Sequence, residues 1–397
     1  MKSRSFDPHR RNLRNSKLAI SFLCLAVLVL FAFPLAQESR ARGQQSVSAA
    51  SASSTVPLRL GIAGLVHGHV LGFFQTYLHS PLIQIVGIAE ADEDLSTRTS
   101  KEYGLNKDLF FTSLDEMIEK THPQAIVAYT DTFDHLKVVQ ICAKHHVDVM
   151  MEKPLAVSYH DARAIQRAAN EGGIEVLVNY ETTWYASNRA AYDLLHEHAL
   201  GDLRKFVAHD GHRGPKEIGV GPDFMKWLID PKLDGAGALY DFGCYGADLV
   251  TWMMDGQEPE TVTAVTQQIK PDEYPNVDDE ASIILTYPKA QAIIQASWNW
   301  PFDRKDIEVY GQTGSVKTVR RDDVLVRREG DHNEEQRSAK PLAAPYDDPI
   351  NYLRAVVLDK MKPEGPSSLR INLIVMEILD RARDSAESGQ TIHLYKK

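Results

Sequence analysis

Four consecutive residues near the middle of the chain, Met151-Glu152-Lys153-Pro154, could do chemistry. They follow an apolar run, so they stand where a buried strand ends. In an open parallel sheet the carboxyl ends of the strands form the ligand crevice, and partial burial there would lower the pKa of the Lys153 ammonium. Pro154 favours an extended backbone at Lys153, which directs the side chain across the crevice. The alternative is a surface lysine at the start of a loop.

A second candidate is the turn from Gly61 to His69, which joins a predicted strand to a predicted helix. Junctions of this kind bind the pyrophosphate of a dinucleotide on the N-H groups of the helix. The Gly-x-Gly-x-x-Gly pattern of such turns begins at Gly64, but Val66 takes its second glycine position and His69 its third. The predicted cofactor contacts of this turn are Gly61, Gly64, His67 and Gly68.

The next predicted strand ends at Glu90, at the separation from the turn expected for an acid that binds the adenosine ribose. A carboxylate there favours NAD and repels the additional phosphate of NADP. The succession of strand, turn, helix, strand and acid therefore predicts bound NAD, with NADP the weaker candidate. A solvated strand end is the alternative explanation for Glu90.

From residue 57 to residue 180 the chain alternates predicted strands with predicted helices. The strands are continuous apolar runs, which indicates a parallel, doubly wound sheet that is covered on both faces. Ser113 and Ser158 have the spacing of helix N-caps. The predicted helices lie near 68–79, 93–103, 113–120, 132–145 and 158–171. The predicted strands are Leu58–Ala63, Ile83–Ala89, Leu109–Phe111, Ala125–Ala128, Val147–Met151 and Glu175–Val178.

After a helix near 186–199 the chain becomes rich in strands, and two helices near 348–361 and 368–388 close it. This pattern predicts an α+β domain, residues 181–397, with an open and mostly antiparallel sheet. Trp298 and Trp300 would share one face of a strand, most simply as part of the sheet core. The predicted strands are Arg204–His209, Thr261–Gln268, Ala281–Tyr287, Ala292–Trp300, Asp306–Tyr310 and Val324–Arg327.

The first 36 residues read as an export signal. Six cations and one acid precede an uncharged stretch, 18–36, that ends in the small residue Ala36, and an uncleaved membrane anchor is the alternative. Residues 37–56, rich in Ser, Ala and Gln, read as a disordered tether. The chain carries a formal net charge of −10, which becomes −15 without those six cations and one acid. Such acidity argues against nucleic acid or an anionic membrane as partner.

Cysteines and histidines offer little support for a metal site. Of three cysteines only Cys142, in a helical pattern, and Cys244, in a Gly-rich loop, lie beyond the export segment. Two histidine pairs could converge with acidic residues, but no Cys or His-Glu-x-x-His pattern accompanies them. We predict polar pocket lining and no metal. The residues concerned are His67, His69, His135, His209, His212, Asp210 and Glu181.

The pattern as a whole resembles the Gfo/Idh/MocA family of oxidoreductases, over almost all of 58–394. The likeness rests on Gly61-Ile62-Ala63-Gly64, on Thr130 with His135, on Glu152-Lys153-Pro154, and on the stretch from Gly235 to Asp248. The resemblance implies that Lys153 contacts both the nicotinamide ribose and the substrate. It also implies that Thr130, His135 and Glu152 line the cofactor cleft.

Tyr245 stands where many members of that family have a histidine that accepts the proton, and the glucose-fructose oxidoreductase branch resembles this chain in having tyrosine. The pKa of a phenol is far above neutral unless a cation lowers it, and Lys153 is the evident cation. We expect Tyr245 to exchange the proton, Lys153 to lower its pKa and orient the substrate hydroxyl, and Asp241 to hydrogen-bond one of the two. A buried aromatic residue with a satisfied hydroxyl is the alternative.

These observations predict an exported, NAD-dependent oxidoreductase that acts on a sugar, sugar acid or cyclitol. Because free NAD is scarce outside the cytoplasm, the cofactor would be held tightly and recycled on the protein. The alternatives are a redox-neutral, NAD-dependent glycoside-cleaving enzyme and an inactive binding protein. Family members often pair their open sheets, so a homo-oligomer is expected. The candidate pocket residues are Tyr180, Trp184, His209, Arg213, Lys216, Trp227 and Asp248.

Overall fold

The computed structural model describes residues 56–394. The predicted export segment and all but the last residue of the predicted tether lie outside that range. Every helix within it is too short or too polar to cross a lipid bilayer.

The first half of the described chain forms a six-stranded parallel sheet in the order β3-β2-β1-β4-β5-β6. This confirms the predicted doubly wound fold, and the strand order reverses between β1 and β4. The strands are β1 (Leu58–Ala63), β2 (Ile83–Ala89), β3 (Phe110–Phe111), β4 (Ala125–Ala128), β5 (Asp148–Glu152) and β6 (Val176–Asn179). The helices are α1 (His69–Tyr77), α2 (Glu93–Tyr103), α3 (Leu114–Thr121), α4 (His135–Lys144) and α5 (Tyr159–Gly172).

Both faces of this sheet are buried, as its apolar strands require. Helices α1 and α2 cover one face together with α10 (Pro349–Leu358), which returns from the far end of the chain, and α3, α4 and α5 cover the other. The predicted caps are present, since Ser113 accepts the amide of Glu116 and Ser158 that of Asp161.

The second half builds a nine-stranded sheet in the order β14-β13-β12-β11-β7-β10-β9-β8-β15. Among the described strands of this sheet only β7 and β10 pair in parallel, so the predicted, mostly antiparallel character is confirmed. Helix α9 (Gly243–Met253) packs on β7 and β10, and α11 (Leu369–Ser388) packs on β8. The strands are β7 (Leu203–Gly211), β8 (Thr261–Gln267), β9 (Glu280–Thr286), β10 (Gln291–Ser297), β11 (Arg304–Gly311), β12 (Gly314–Thr318), β13 (Asp323–Arg328), β14 (Glu335–Ser338) and β15 (Ile392–His393). The remaining helices are α6 (Ala186–His196), α7 (Pro222–Leu228) and α8 (Ala238–Asp241).

Two local predictions in this half are wrong. Strand β10 ends at Ser297, so Trp298 and Trp300 lie beyond it. Cys244, which was expected in a loop, lies in the first turn of α9. The glycines of this helix allow it to approach the sheet closely, since a Cβ at Gly246 would lie 2.5 Å from Ile294.

Candidate active site

A cavity of about 810 Å³ lies beside the carboxyl end of β5 and is closed by residues of the second sheet and its loops. It brings together Lys153, Asp241 and Tyr245, the three predicted catalytic residues. The first comes from the loop after β5, the second ends α8, and the third lies in the first turn of α9. A second cavity of about 530 Å³ adjoins it, and Gly68, His69, Glu181 and Arg321 line both.

Lys153 and Asp241 form a buried ion pair at the base of the first cavity. The ammonium donates to the carboxylate Oδ1 and, over 3.1 Å, to the carbonyl oxygen of Asp241. Burial alone would lower the pKa of Lys153, but Asp241, together with nearby Cys244 and Asp234, outweighs burial and raises it. The predicted lowering of this pKa is therefore wrong. The second carboxylate oxygen accepts a hydrogen bond of 2.9 Å from the indole N-H of Trp298, which fixes the pair against the second sheet.

Tyr245 presents its ring to two lysines. The ammonium of Lys153 lies 5.5 Å from the ring centroid and that of Lys305 lies 4.9 Å from it. The hydroxyl has no hydrogen-bond partner among residues 56–394, so it is available to a ligand in the cavity. Burial, together with nearby Cys244 and acidic residues, raises the pKa of Tyr245. The expectation that Lys153 lowers this pKa is wrong, because burial and the neighbouring acidic groups raise it.

The turn between β1 and α1 is shaped for close backbone packing. Gly61 lies within β1, contrary to its prediction as a cofactor contact in the turn, and a Cβ there would lie 2.6 Å from Ile126. Gly64 has a φ of 77°, and a Cβ would approach the backbone of Thr130 to 2.9 Å. Gly68 is approached closely by the ring of Phe224 from α7.

The same turn fits a dinucleotide in two respects. Glu90 accepts the amide of Leu65 at 2.8 Å, so the acid predicted to bind the ribose stands directly against the turn. The amides of Val66 and Gly68 donate no hydrogen bond within the described part of the chain, which leaves them free for an acceptor. A dinucleotide would supply a hydride acceptor here, with its phosphates held by free amides at the start of α1.

The remaining predicted cofactor residues surround this turn. Glu152 accepts from the ring of His69 at 2.9 Å and from Asn179 at 3.1 Å. The Nδ1 of His135 lies 3.3 Å from the carbonyl of Leu155, which braces the loop that carries Lys153. Thr130 donates to a carbonyl in its own loop.

The side chains of His67, His69 and Glu152 lie close enough together to bind one metal ion. Ligand atoms of His67, His69 and Glu152 fall within 4.8 Å of one another. The Nδ1 of His67, however, accepts the amide of His69 at 3.2 Å, so its buried Nε2 carries the hydrogen in the neutral ring and offers no lone pair. His209 and His212 belong to neither metal-like group found in 56–394. The nitrogen Nε2 of His67 is thus a donor without a partner among the described residues.

None of the seven predicted pocket residues lines the first cavity. Tyr180 is fully buried, and its hydroxyl donates to Asn372 at 2.9 Å. Asp248 is fully buried in α9 with no partner for its carboxylate in the described range, and burial raises its pKa. Trp227 donates to the carbonyl of Val66 and supports the turn. These residues belong to the core or to its supports.

The other candidate pocket residues lie on segments beside the first cavity. Trp184 lines the second cavity, where it donates to Asn179 at 3.0 Å. The ring of His209 bonds Gln295 on the neighbouring strand at 2.7 Å. Arg213 and Lys216 also lie outside the first cavity, and Lys216 pairs with Glu273.

Sequence reasoning missed four cations of this cavity, Arg304, Lys305, Arg320 and Arg321. Lys305 and Arg321 both line it, and His212 lies at its wall with its ring 4.8 Å from that of Phe242. Lys305 reaches Tyr245 only because β11 pairs antiparallel with β7. No local pattern around Lys305 indicates that pairing partner.

Comparison with known sequences supports this architecture. A profile for the "Oxidoreductase family, NAD-binding Rossmann fold" matches residues 58–180, and a profile for the "GFO/IDH/MocA C-terminal domain" matches residues 188–317. Together the two profiles span more than half of the chain. The chain belongs to the Gfo/Idh/MocA family. Its first half is therefore an NAD-binding Rossmann domain, as the sequence predicted.

Curated relatives of the family include dehydrogenases. The chain is 27% identical over 207 residues to trans-1,2-dihydrobenzene-1,2-diol dehydrogenase of Sus scrofa, a match of 52% of this chain and 57% of the relative. The corresponding enzyme of Xenopus laevis is 28% identical over 217 residues, 54% of this chain and 61% of the relative. The matches thus span under two thirds of these relatives' own length.

Solved structures share the whole fold of the Gfo/Idh/MocA chain. The aldose-aldose oxidoreductase of Caulobacter crescentus, complexed with glycerol, superposes with a TM-score of 0.71 at 20% identity and covers 85% of this chain and 100% of its own. An inositol dehydrogenase homologue of Azotobacter vinelandii, complexed with NAD+, gives a TM-score of 0.74 at 16% identity and covers 85% and 97%. At these identities the likeness establishes the fold.

Proposed function

We propose that this protein is an NAD-dependent oxidoreductase that moves hydride to or from a carbinol carbon of a sugar, sugar acid or cyclitol. The observation that carries the proposal is the meeting of the Lys153–Asp241 pair and the unpartnered hydroxyl of Tyr245 in one cavity at the carboxyl edge of the NAD-binding sheet. The proteins named above, a diol dehydrogenase, an aldose-aldose oxidoreductase and an inositol dehydrogenase homologue, support a hydroxylated substrate.

The ion pair orients Lys153 for substrate binding. An ammonium has three donor hydrogens, and Asp241 takes two of them through its carboxylate and its carbonyl. The third is free to donate to a substrate oxygen in the cavity. Because Asp241 holds Lys153 in the charged form, this donor persists through the neutral pH range.

Tyr245 moves the proton. Its raised pKa keeps the phenol protonated at neutral pH, so it is ready to donate a proton to a carbonyl oxygen in the direction of reduction. In the direction of oxidation the phenol must lose its proton before it can accept one from the carbinol. The site's own electrostatics therefore favour reduction at neutral pH and oxidation at higher pH.

The proposal includes export, because the first 36 residues have the composition of a signal segment. An exported enzyme has no steady supply of free NAD, so the cofactor would stay bound and be recycled between two carbohydrates, one oxidised and the other reduced.

A single experiment tests the core of this proposal. The purified protein is examined by ultraviolet absorbance for bound nicotinamide, and the bound cofactor is then followed while free sugars, sugar acids, cyclitols and glycosides are added. Reversible reduction of the bound cofactor by a free polyol is the expected result. Release of an aglycone without net cofactor change would indicate the redox-neutral alternative, and no cofactor with no stabilisation by added NAD would indicate a binding protein.

A further inference from the structure

Two cations on one wall of the cavity share a single carboxylate. The ammonium of Lys305 pairs with Oε2 of Glu181, and the guanidinium of Arg321 lies 3.8 Å from Oε1 of the same residue. Partial burial opposes ionisation of Glu181, but Lys305, the hydroxyl of Tyr185 and Arg321 together lower its pKa to about 2, so Glu181 is ionised at neutral pH. These three residues, called the cationic wall below, therefore retain one formal positive charge.

The other charges of the cavity leave that excess uncompensated. The buried lysine pair described above is neutral, and Arg304 pairs with Asp306 at the rim. Asp303 and Arg320, one of each sign, line the cavity without an ion-pair partner within 56–394. A local positive excess is notable in a chain whose formal net charge is −10, because most of its surface repels anions.

The cationic wall is held in place before any ligand binds. The guanidinium of Arg321 lies 4.7 Å from the ring centroid of Tyr185, and its backbone carbonyl accepts the amide of Ser187 at 2.9 Å. The hydroxyl of Tyr185 donates to Glu181 at 2.6 Å. Such anchoring reduces the side-chain entropy that an anion would otherwise have to overcome.

The wall also adjoins the reaction centre. The ammonium of Lys305 lies 4.9 Å from the ring centroid of Tyr245, and the cavity of about 810 Å³ extends from there to Arg321. Its volume lies within the roughly 300–1,000 Å³ of small-molecule sites, so a monosaccharide can contact both.

We infer that the substrate is a sugar acid whose carboxylate binds the cationic wall through Lys305 and Arg321 while its carbinol faces Tyr245 and Lys153. The inference rests on the proposed function and narrows its substrate class. A carboxylate has one charge, which matches the single excess charge, and its two coplanar oxygens fit the donors of a guanidinium. A phosphate dianion would exceed that charge.

The test compares three sugars that differ in one substituent: galactose, galacturonate and galactose 6-phosphate. For each, kcat/KM is measured with the NAD-bound enzyme, and binding is measured separately by calorimetry. We expect galacturonate to be preferred over galactose by about tenfold or more, a difference of ~1.4 kcal/mol. In Arg321→Gln and in Lys305→Met the preference should fall by about tenfold, mostly through KM.

Arg337→Gln is the matched control, because Arg337 pairs with Glu335 on the surface of β14 and lies outside the cavity. It removes the same charge and should keep the preference. Equal kcat/KM for galactose and galacturonate, or an equal loss of preference in Arg337→Gln and Arg321→Gln, would overturn the inference. A preference for the phosphate over the carboxylate would overturn it as well.

Calorimetry separates this inference from the proposed function. Galacturonate binding that weakens in Arg321→Gln, in a protein that turns over none of the three sugars, would reject the oxidoreductase proposal and retain the carboxylate site. Turnover of galactose with no added affinity for galacturonate would retain the oxidoreductase proposal and reject the carboxylate site.

Discussion

Lys153 and Asp241 lie 88 positions apart in the chain, yet they form a buried ion pair that joins the loop after β5 to the end of α8. Each side chain is 6% exposed. The pair therefore links the NAD-binding half of the molecule to the half that carries Tyr245. Whatever the substrate, the position of the lysine relative to the phenol depends on this contact.

Removing the lysine should destabilise the protein as well as inactivate it. Lys153→Met leaves the carboxylate of Asp241 buried, with the Trp298 indole as its one side-chain donor within residues 56–394, at a cost of about 3–5 kcal/mol. The double variant Lys153→Met/Asp241→Leu should recover much of that stability and none of the activity. Urea unfolding and turnover are measured on both. A single variant as stable as the wild type would contradict the buried pair.

Tyr245→Phe should show the opposite pattern. Because the hydroxyl has no partner among residues 56–394, its removal should change the free energy of unfolding by less than ~1 kcal/mol, while turnover falls by about 10²–10⁴. Tyr180→Phe is the comparison, since it breaks a buried hydrogen bond to Asn372 and should lose more stability than turnover. Similar turnover in Tyr245→Phe and the wild type would remove Tyr245 from the proton transfer.

Glu90→Gln should relax the choice of cofactor and remove one of the two hydrogen bonds that the Glu90 side chain accepts. The amides of Leu65 and Asp92 donate to different oxygens of the Glu90 carboxylate, at 2.8 and 2.9 Å, so the single oxygen of a glutamine keeps one of these hydrogen bonds and loses the other. The charge that repels the extra phosphate of NADP is lost, so preference for NAD over NADP should fall by about tenfold, or ~1.4 kcal/mol. Dissociation constants of both dinucleotides are compared, with Glu102→Gln at the other end of α2 as control. An unchanged preference would show that Glu90 does not face the ribose.

Two glycines of the same region should respond oppositely to alanine. Gly64→Ala places a Cβ 2.9 Å from the backbone of Thr130 at a φ of 77°, and we expect a loss of about 1–3 kcal/mol. Gly72→Ala, inside α1 with no atom within 4 Å of the added carbon, should be neutral or stabilising by up to ~1 kcal/mol. The free energy of unfolding of the two variants is measured with a denaturant. Equal effects would contradict the geometry of the turn.

Stability should decline in mildly acidic solution because of His135. Burial lowers the pKa of this ring from its ordinary 6.5 to about 4. Between these values the unfolded chain binds a proton that the folded protein does not, so stabilisation present above pH 6.5 is lost as the pH falls towards 4. Near pH 5 the loss should be ~2 kcal/mol.

The measurement for His135 is the difference in unfolding free energy between pH 7.5 and pH 5, in the wild type and in His135→Asn. The variant should show the smaller pH dependence. His160→Asn, which replaces an exposed histidine of α5, should behave as the wild type. A pH dependence unchanged in His135→Asn would assign the acid sensitivity to other groups.

Local sequence was sufficient to predict the strands of the first sheet. Strands β1, β2 and β4 begin and end at the predicted residues, because an unbroken apolar run bounded by turn residues is typical of a buried strand. The short polar strands β12 and β14 were missed, since their pairing depends on β11 and β13, and their own residues carry no clear alternation.

The sequence by itself determined the fold class and the family and predicted the residue types at the candidate reaction centre, because strand runs, caps and motif spacings are local or nearly so. Only the tertiary structure decided the charges of that centre: Asp241 raises the pKa of Lys153, and Lys305 and Arg321 converge on Glu181 beside Tyr245. The same packing made Tyr180 and Asp248 core residues. The electrostatics and burial of a side chain depend on which distant segments pack against it, and no spacing along the chain records that.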